Sequence, residues 1–557
     1  MKRIHLIACM LLFGMSVSAQ GTMVKGRAFV DKNGNGTFDK GEKTLKGIQV
    51  SNGVDIVTTN SKGQYSIKGI NGRPVFAIKP VGYQFPLGED LHPRFFHLLT
   101  KETAQTFDLP MHSQKENKAT EVALLGDAQP HTLDDFTYYV QTTTSELINE
   151  HYDFSLMLGD VVGNSLELYD LTRSAATMSG KPTYYVFGNH DTNRDYSEER
   201  RFLDQDKTFE EKLNPAYYAM SWGELNVLVL NNVYPEIHNP KRGYYSAGID
   251  PDQWTFLENY LKSADKEKML MVATHIPVDN MPNVKEFYQL FKGFKKVFFV
   301  FAHSHTVQQR FAGEEEGWPN EEPAHLLSAG ATCGGHWRGE YDIYGMPNAI
   351  MKDGTPRGFI LADIQDNELK MRYKATGYGK EHQMHIYVEN YMLWQDDFAS
   401  QGKPSNKVLA NVYMGHEHST VRMRVDKGEW QEMKKVLIID PYLNKLYETQ
   451  VKGIYPTKGA VNLKTTIFKR PIKRVSKHIW EGEYDSKLSA GVHSVEVWAT
   501  NEEGLDTKKT HAFVVVDEEI METAKMMDAR YKQTIYKKKT KTAEKKKQKE
   551  KKTKNSK

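Results

Sequence analysis

The chain has 557 residues, 39% of them hydrophobic and 11% aromatic, which is too long for one ordinary domain and apolar enough for several cores. Its formal charge of +3 hides an asymmetry: Lys532–Lys557 holds 13 Lys and 2 Glu, so the rest of the chain carries about −8. A mildly acidic body argues against nucleic acid as the main partner, and no apolar run after the N-terminus is long enough to span a bilayer.

In chain order, the first element reads as an export signal. Lys2 and Arg3 form a basic start, Ile4–Val17 an apolar stretch, and Val17-Ser18-Ala19 a small-residue cleavage site before Gln20. The expected location is therefore periplasmic or secreted. Leu6-Ile7-Ala8-Cys9 has the form of a lipoprotein box but leaves almost no apolar stretch ahead of it, so lipidation is the minor alternative. Cleavage after Ala19 leaves Cys333 as the sole cysteine, which excludes an internal disulfide.

Residues 20–112 read as a small β-sandwich, with strands at Val24–Val30, Ile48–Ser51, Gln64–Ile67 and Val75–Ile78 between Gly, Asn and Asp clusters. Within it, Asp31, Asn33, Asn35, Asp39 and Glu42 occupy the oxygen-ligand positions of a calcium loop, with Gly36 at the sharp turn. Helical flanks are missing. Two readings stand: a structural calcium site, or an Asn-Gly-rich turn between strands.

A polar linker at 113–120 leads into residues 121–380, where strand and helix patterns alternate as in an α/β domain. Helices are expected at 134–151, 165–178, 252–263 and 286–294, and a hairpin at 217–231. Five short apolar runs each end in a residue type that binds metals. These endings are Asp127, Asp160, Asn189, His275, and His303 with His305. Such runs fit strands buried on both faces, and open α/β sheets bind ligands beyond their strands' C-terminal ends. Carboxylates, imidazoles and an amide suit borderline divalent ions such as manganese, iron or zinc. An Asp in a tight turn can give one oxygen to each of two ions, and a two-metal centre activates water and clamps a phosphoryl group. His190 and Asp191 follow Asn189 directly and make a candidate acid and its orienting partner.

These residues resemble the calcineurin-like metallophosphoesterase superfamily, whose pattern is D-x-H, GDxx[DGN], GNH[DE], H and GHxH. Here it stands as Asp127-Ala128-Gln129, Gly159-Asp160-Val161-Val162-Gly163-Asn164, Gly188-Asn189-His190-Asp191, His275, and His303-Ser304-His305. The resemblance implies a metallophosphoesterase β-sandwich core flanked by helices. It assigns one ion to Asp127, Asp160 and His305, with Gln129 in the usual His place. The other ion falls to Asp160, Asn189, His275 and His303, and His190 is implied as general acid or transition-state stabiliser. A D-x-Q start also occurs in family branches that include manganese-dependent ADP-ribose/CDP-alcohol diphosphatases. Gly163 stands where purple acid phosphatases carry a metal-binding Tyr, which argues against a tyrosinate-bound ferric ion.

Near these ligands, His131 and Asn164 are candidate substrate contacts. So are His336, Trp337 and Arg338, which follow the small-residue run Ser328–Gly335. The equal alternative for that run is a turn-rich segment around a buried cysteine. Residues 381–518 read as a second β-sandwich, and 519–557 as a basic tail, expected to be disordered from Lys532 onward. The order sandwich, catalytic domain, sandwich resembles exported bacterial phosphoesterases with family-matched end domains. The expected function is exported, metal-dependent hydrolysis of a small-molecule phosphate mono- or diester or a diphosphate. The alternative is a surface-binding protein with a degraded phosphoesterase core. Oligomeric state and substrate are not legible.

Overall fold

The computed structural model describes residues 22–89, 91–99, 105–239, 243–339, 341–342, 344–388, 405–451 and 472–554. The expected export signal lies outside these residues. Two compact units emerge, residues 1–382 with 457–474, and residues 383–456 with 475–557.

The first unit begins with the expected sandwich. One four-stranded sheet contains Met23–Val30 and Gln64–Lys68, and the other contains Gln49–Ser51 and Pro74–Ala77. Its buried faces carry Val24, Phe29, Val50, Ile67, Val75 and Phe76. The five residues expected to hold calcium gather in one loop. Asp31 accepts from the Gly34 and Gly36 amides, and Asn33 and Asn35 donate to Asp39. Glu42 accepts from the amides of Lys32 and Asp39. These bonds are those of a self-satisfied turn.

The linker is not a loose tether. Lys79 from the sandwich and Glu116 from the linker pair at 2.6 Å, each side chain 2% exposed. Lys79 also donates to the Ser221 carbonyl, and Glu116 accepts from the Gly223 amide. A second seam forms around the buried Arg73, which donates to Tyr217 and Asp252. The sandwich is thereby fastened to the domain that follows.

That domain contains a five-stranded and a six-stranded sheet. In the first, Thr120–Leu125, Phe154–Met157 and Thr183–Tyr185 run parallel, with Gly358–Gln365 antiparallel beside Thr120–Leu125. In the second, Leu225–Val229, Met269–Ala273, Val297–Phe301 and Ala324–Ala329 are parallel. The strands Phe154–Met157, Met269–Ala273 and Val297–Phe301 are buried at every position, as unbroken apolar runs demand. The helix Pro251–Ser263 starts where expected, with Asp250 capping the amides of Asp252 and Gln253. The expected helix at 134–151 is instead Leu133–Tyr139, a π-turn at Val140–Thr144 and a short end at Ser145–Leu147.

The second unit holds two four-stranded sheets, one with Met384–Val388, Lys407–Val412 and Ile479–Glu483, the other with Thr420–Val425, Gly491–Thr500 and Asp506–Val515. The basic tail is a correction. It forms the helix Glu518–Lys554 rather than a disordered run. Its Lys, Ala, Glu and Gln are good helix formers uninterrupted by Gly or Pro, and this outweighs the missing apolar stripe on which the expectation of disorder rested.

Candidate metal centre

The five-stranded and six-stranded sheets of the first unit send parallel strands to the same place. Thr120–Leu125, Phe154–Met157 and Thr183–Tyr185 lead to Asp127, Asp160 and Asn189, and Met269–Ala273 and Val297–Phe301 lead to His275 and His303. The turns are tight because neighbouring chains nearly touch. A Cβ on Gly188 would lie 2.0 Å from the Asp160 amide nitrogen, and one on Gly159 would lie 2.5 Å from His275 Nδ1. Only glycine fits these positions. Asp127, Gln129, Asp160, His303 and His305 all have positive φ, from 30° to 64°. Such strain persists only where surrounding structure over-determines it, and it clusters at functional sites.

One set of ligand-type atoms is closely spaced. Asp160 Oδ1 lies 3.3 Å from His275 Nε2, which lies 3.0 Å from Asn189 Oδ1 and 3.2 Å from His303 Nδ1. His275 Nδ1 donates to the Leu158 carbonyl at 2.8 Å, which turns Nε2 toward the other ligand-type atoms. Burial lowers the ring's pKa, but Asp160 overcomes this and raises it to about 9, so an ion there would displace the Nε2 proton. The second set lies across Asp160. Its Oδ2 is 3.2 Å from the Gln129 amide, and His305 Nε2 is 3.5 Å from Asp127 Oδ1. His305 Nδ1 donates to the Gly334 carbonyl.

The donors fit two divalent ions. Asp127 Oδ1 is buried with no hydrogen-bond partner, an arrangement too costly to leave uncompensated by charge. The ligand-to-ligand separations of 3.0–3.5 Å suit donors about 2.0–2.2 Å from a shared ion. Asp160, His275 and His303 converge as one potential ion-holding group, and His305, Cys333 and His336 as another.

The electrostatics agree with a site that wants cations. Burial pushes Asp127 up to about 8, with Asp160 adding to the effect. Burial acts the same way on Asp160, but His275 and His190 overcome it and hold that carboxylate well below its usual range. Burial, reinforced by the charge of His275, pulls His303 down to about 3. His305 is likewise lowered by burial. Both rings are therefore neutral near pH 7, with lone pairs available to metal.

The expected catalytic pair divides. His190 stands beside the ligands, its backbone amide donating to Asp160 Oδ1 at 2.8 Å and its Nδ1 buried without a partner. Asp191 does not orient it. Its carboxylate accepts from the amides of Gly188, Val161 and Val162 and from the Tyr169 hydroxyl. Asp191 thus knits two ligand-bearing turns together, because local backbone N–H groups reach it and the His190 ring does not.

The expected substrate contacts also divide. His131 and Asn164 lie on the open side, with the His131 ring edge-on to His190 at 5.8 Å and Asn164 accepting from Arg194. Trp337 is a correction: it is 1% exposed and its Nε1 donates to the Ala128 carbonyl, so it braces a ligand turn instead of stacking on a substrate. His336 faces Gln129 at 3.0 Å. Arg338 is half-buried, with Nε unpartnered. Sequence reasoning missed Arg194, whose signal was a cation four residues beyond His190. It also missed Tyr245, whose ring lies edge-on to His303 at 6.3 Å.

The comparisons with known proteins point the same way. Three family models match in register: "N terminal of Calcineurin-like phosphoesterase" over residues 32–112, "Calcineurin-like phosphoesterase" over 120–307, and "C terminal of Calcineurin-like phosphoesterase" over 327–506. No protein of curated function matches the chain. Among solved structures, it is similar to purple acid phosphatase PPD1 of yellow lupin (Lupinus luteus), at 12% identity and a TM-score of 0.31, covering 59% of this chain and 66% of that one. It is also similar to the phosphopantetheinyl hydrolase PptH of Mycobacterium tuberculosis, at 15% identity and a TM-score of 0.23, covering 38% and 89%. The 5'-nucleotidase of Candida albicans SC5314 matches at 8% identity and a TM-score of 0.27, covering 73% and 93%. Likenesses this shallow say nothing about substrate.

Proposed function

We propose, for a chain that belongs to the calcineurin-like phosphoesterase family, that it is an exported enzyme that hydrolyses phosphate mono- or diester or diphosphate bonds of a small-molecule substrate. The protein is a metal-dependent phosphoric ester hydrolase. The finer reading rests on one observation: seven ligand-type side chains from two sheets, Asp127, Gln129, Asp160, Asn189, His275, His303 and His305, surround two adjacent positions with Asp160 between them. Two divalent ions held by these residues, manganese, iron or zinc, would supply positive charge for the phosphoryl group and lower the pKa of a bound water.

The chain's own residues supply the rest. Asp160 offers one oxygen to each position. The His190 imidazole, close to both but engaged by neither, is placed to give a proton to the leaving oxygen. Burial lowers its pKa, and the neighbouring His131 and His275 add to that effect against the pull of Asp160. Arg194 and Asn164, joined by a hydrogen bond at the open side, are placed to take a phosphate oxygen. The basic, apolar and small-residue N-terminus supports export of the mature chain. A ligand set intact except for Gln129 in a His place argues against a degraded core that only binds surfaces.

The test is metal-reconstituted hydrolysis of p-nitrophenyl phosphate, bis(p-nitrophenyl) phosphate and ADP-ribose as monoester, diester and diphosphate probes. At least one should turn over in the presence of manganese or iron, and turnover should be lost in Asn189→Ala and fall by about 10²–10⁴-fold in His190→Ala. A metal-loaded protein inert toward all three overturns the reading.

A further inference from the structure

The Gln129 side chain bridges two environments. One end of its amide lies 3.2 Å from Asp160 Oδ2, and the other lies 3.0 Å from His336 Nδ1 and 3.8 Å from Cys333 Sγ. In the arrangement described, the amide NH2 faces Asp160 and donates to it, while Oε1 accepts from His336. An ion shared with Asp160 and Asp127 cannot be held by an NH2 group, because only the amide oxygen has a lone pair to give. Loading the first position therefore requires the amide to turn over, placing Oε1 toward the ion and NH2 toward His336.

The two ends of an amide have nearly the same shape, so this turn needs almost no space; what selects between the orientations is the partner at the far end. His336 can serve both. Its Nδ1 donates when it carries the ring proton and accepts when the proton sits on Nε2, and both tautomers are neutral. A side chain that could only donate, or only accept, would hold the amide in one state.

His336 is held for this task. Its backbone has a φ of 68°, the same left-handed strain as the ligands. Its ring lies 4.1 Å from that of His305. The turn that carries it is tied to the Gln129 turn at three points. Thr332 Oγ1 donates to the Gly126 carbonyl, the Cys333 amide to the Asp127 carbonyl, and Trp337 Nε1 to the Ala128 carbonyl.

We propose that His336 is a positioning residue for the metal centre: it accepts the Gln129 NH2 group, so that the amide oxygen faces the first ion and takes the place of a missing imidazole ligand. This rests on the two-metal reading of the site. It assigns His336 to the ligand behind it, not to the substrate.

The experiment uses the full mature chain and Mn(II) alone, with stoichiometry and dissociation constants read by equilibrium dialysis and electron paramagnetic resonance. His336→Ala should weaken one of two bound ions by about 10–100-fold, the range for loss of an outer-shell partner, and leave the other within about twofold. His336→Asn places an amide that can also donate or accept near the same point, and should restore most of the affinity. In a Gln129→His background, where no amide needs setting, His336→Ala should change neither constant by more than about twofold. The inference is overturned if His336→Ala leaves both constants unchanged, weakens both equally, or costs as much in the Gln129→His background. A wild-type chain that takes up no Mn(II) overturns the two-metal reading along with it. If His336→Ala folds poorly, His336→Phe, which keeps a ring but offers the amide no partner, takes its place in both backgrounds with the same expected outcomes.

Discussion

Asp160 Oδ1 lies 3.3 Å from His275 Nε2, while the other oxygen of the same carboxylate faces Gln129 on the opposite side. One short side chain in a strained turn, with a φ of 50°, therefore touches both halves of the ligand set. The two halves are unequal: Asp160 meets an Asn and two His on one side, an Asp, a Gln and one His on the other.

Because Asp160 belongs to both halves, Asp160→Asn should cost both ions together. Elemental analysis after dialysis should find less than one equivalent of metal, and turnover should fall to the level of chelator-treated wild type. Two tightly held ions in this variant would rule out the shared role.

His190 and Asp191 are neighbours with different duties. His190→Ala should keep its metal content and thermal midpoint while turnover falls by about 10²–10⁴-fold, the usual worth of a positioned acid or base. Asp191→Ala instead strands the amides of Gly188, Val161 and Val162, each costing about 1–3 kcal/mol when buried and unpaired. Its thermal midpoint should therefore drop, measured by circular dichroism. Equal thermal midpoints for the two variants would contradict this division.

Arg194 donates to Asn164 at 2.5 Å and lies over the Tyr244 ring at 5.3 Å. As a phosphate contact outside the ligand set, Arg194→Ala should raise KM for the preferred probe about tenfold, or about 1.4 kcal/mol, with metal content unchanged. A fall in kcat with KM constant would move Arg194 from binding to chemistry.

Lys79 and Glu116 are almost fully enclosed, and burial lowers the Lys79 pKa against the pull of Glu116. Lys79→Ala leaves a buried, unpaired carboxylate and should cost about 3–5 kcal/mol in denaturant unfolding. Lys79→Met with Glu116→Leu removes both charges and should lie within about 1–2 kcal/mol of wild type, since apolar replacement of a buried pair is often neutral or stabilising. A double variant as weak as Lys79→Ala would show that the pair itself, not the stranded charge, sets the cost.

The sequence alone determined the list of candidate ligands, because each follows a strand end by two to four residues: Asp160 after Met157, His275 after Ala273, His303 after Phe301. Hydrophobic runs and turn glycines are local signals, and the strands of the first sandwich were legible for the same reason. Tertiary structure alone decided what those ligands lean on. His336 meets Gln129 across 207 positions, and Lys79 reaches Glu116 across 37. Asp191 could be placed next to His190 in sequence, yet its carboxylate turns to backbone amides thirty positions away. The direction a side chain faces depends on which distant partner satisfies it once water is excluded, and periodicity carries no record of that choice.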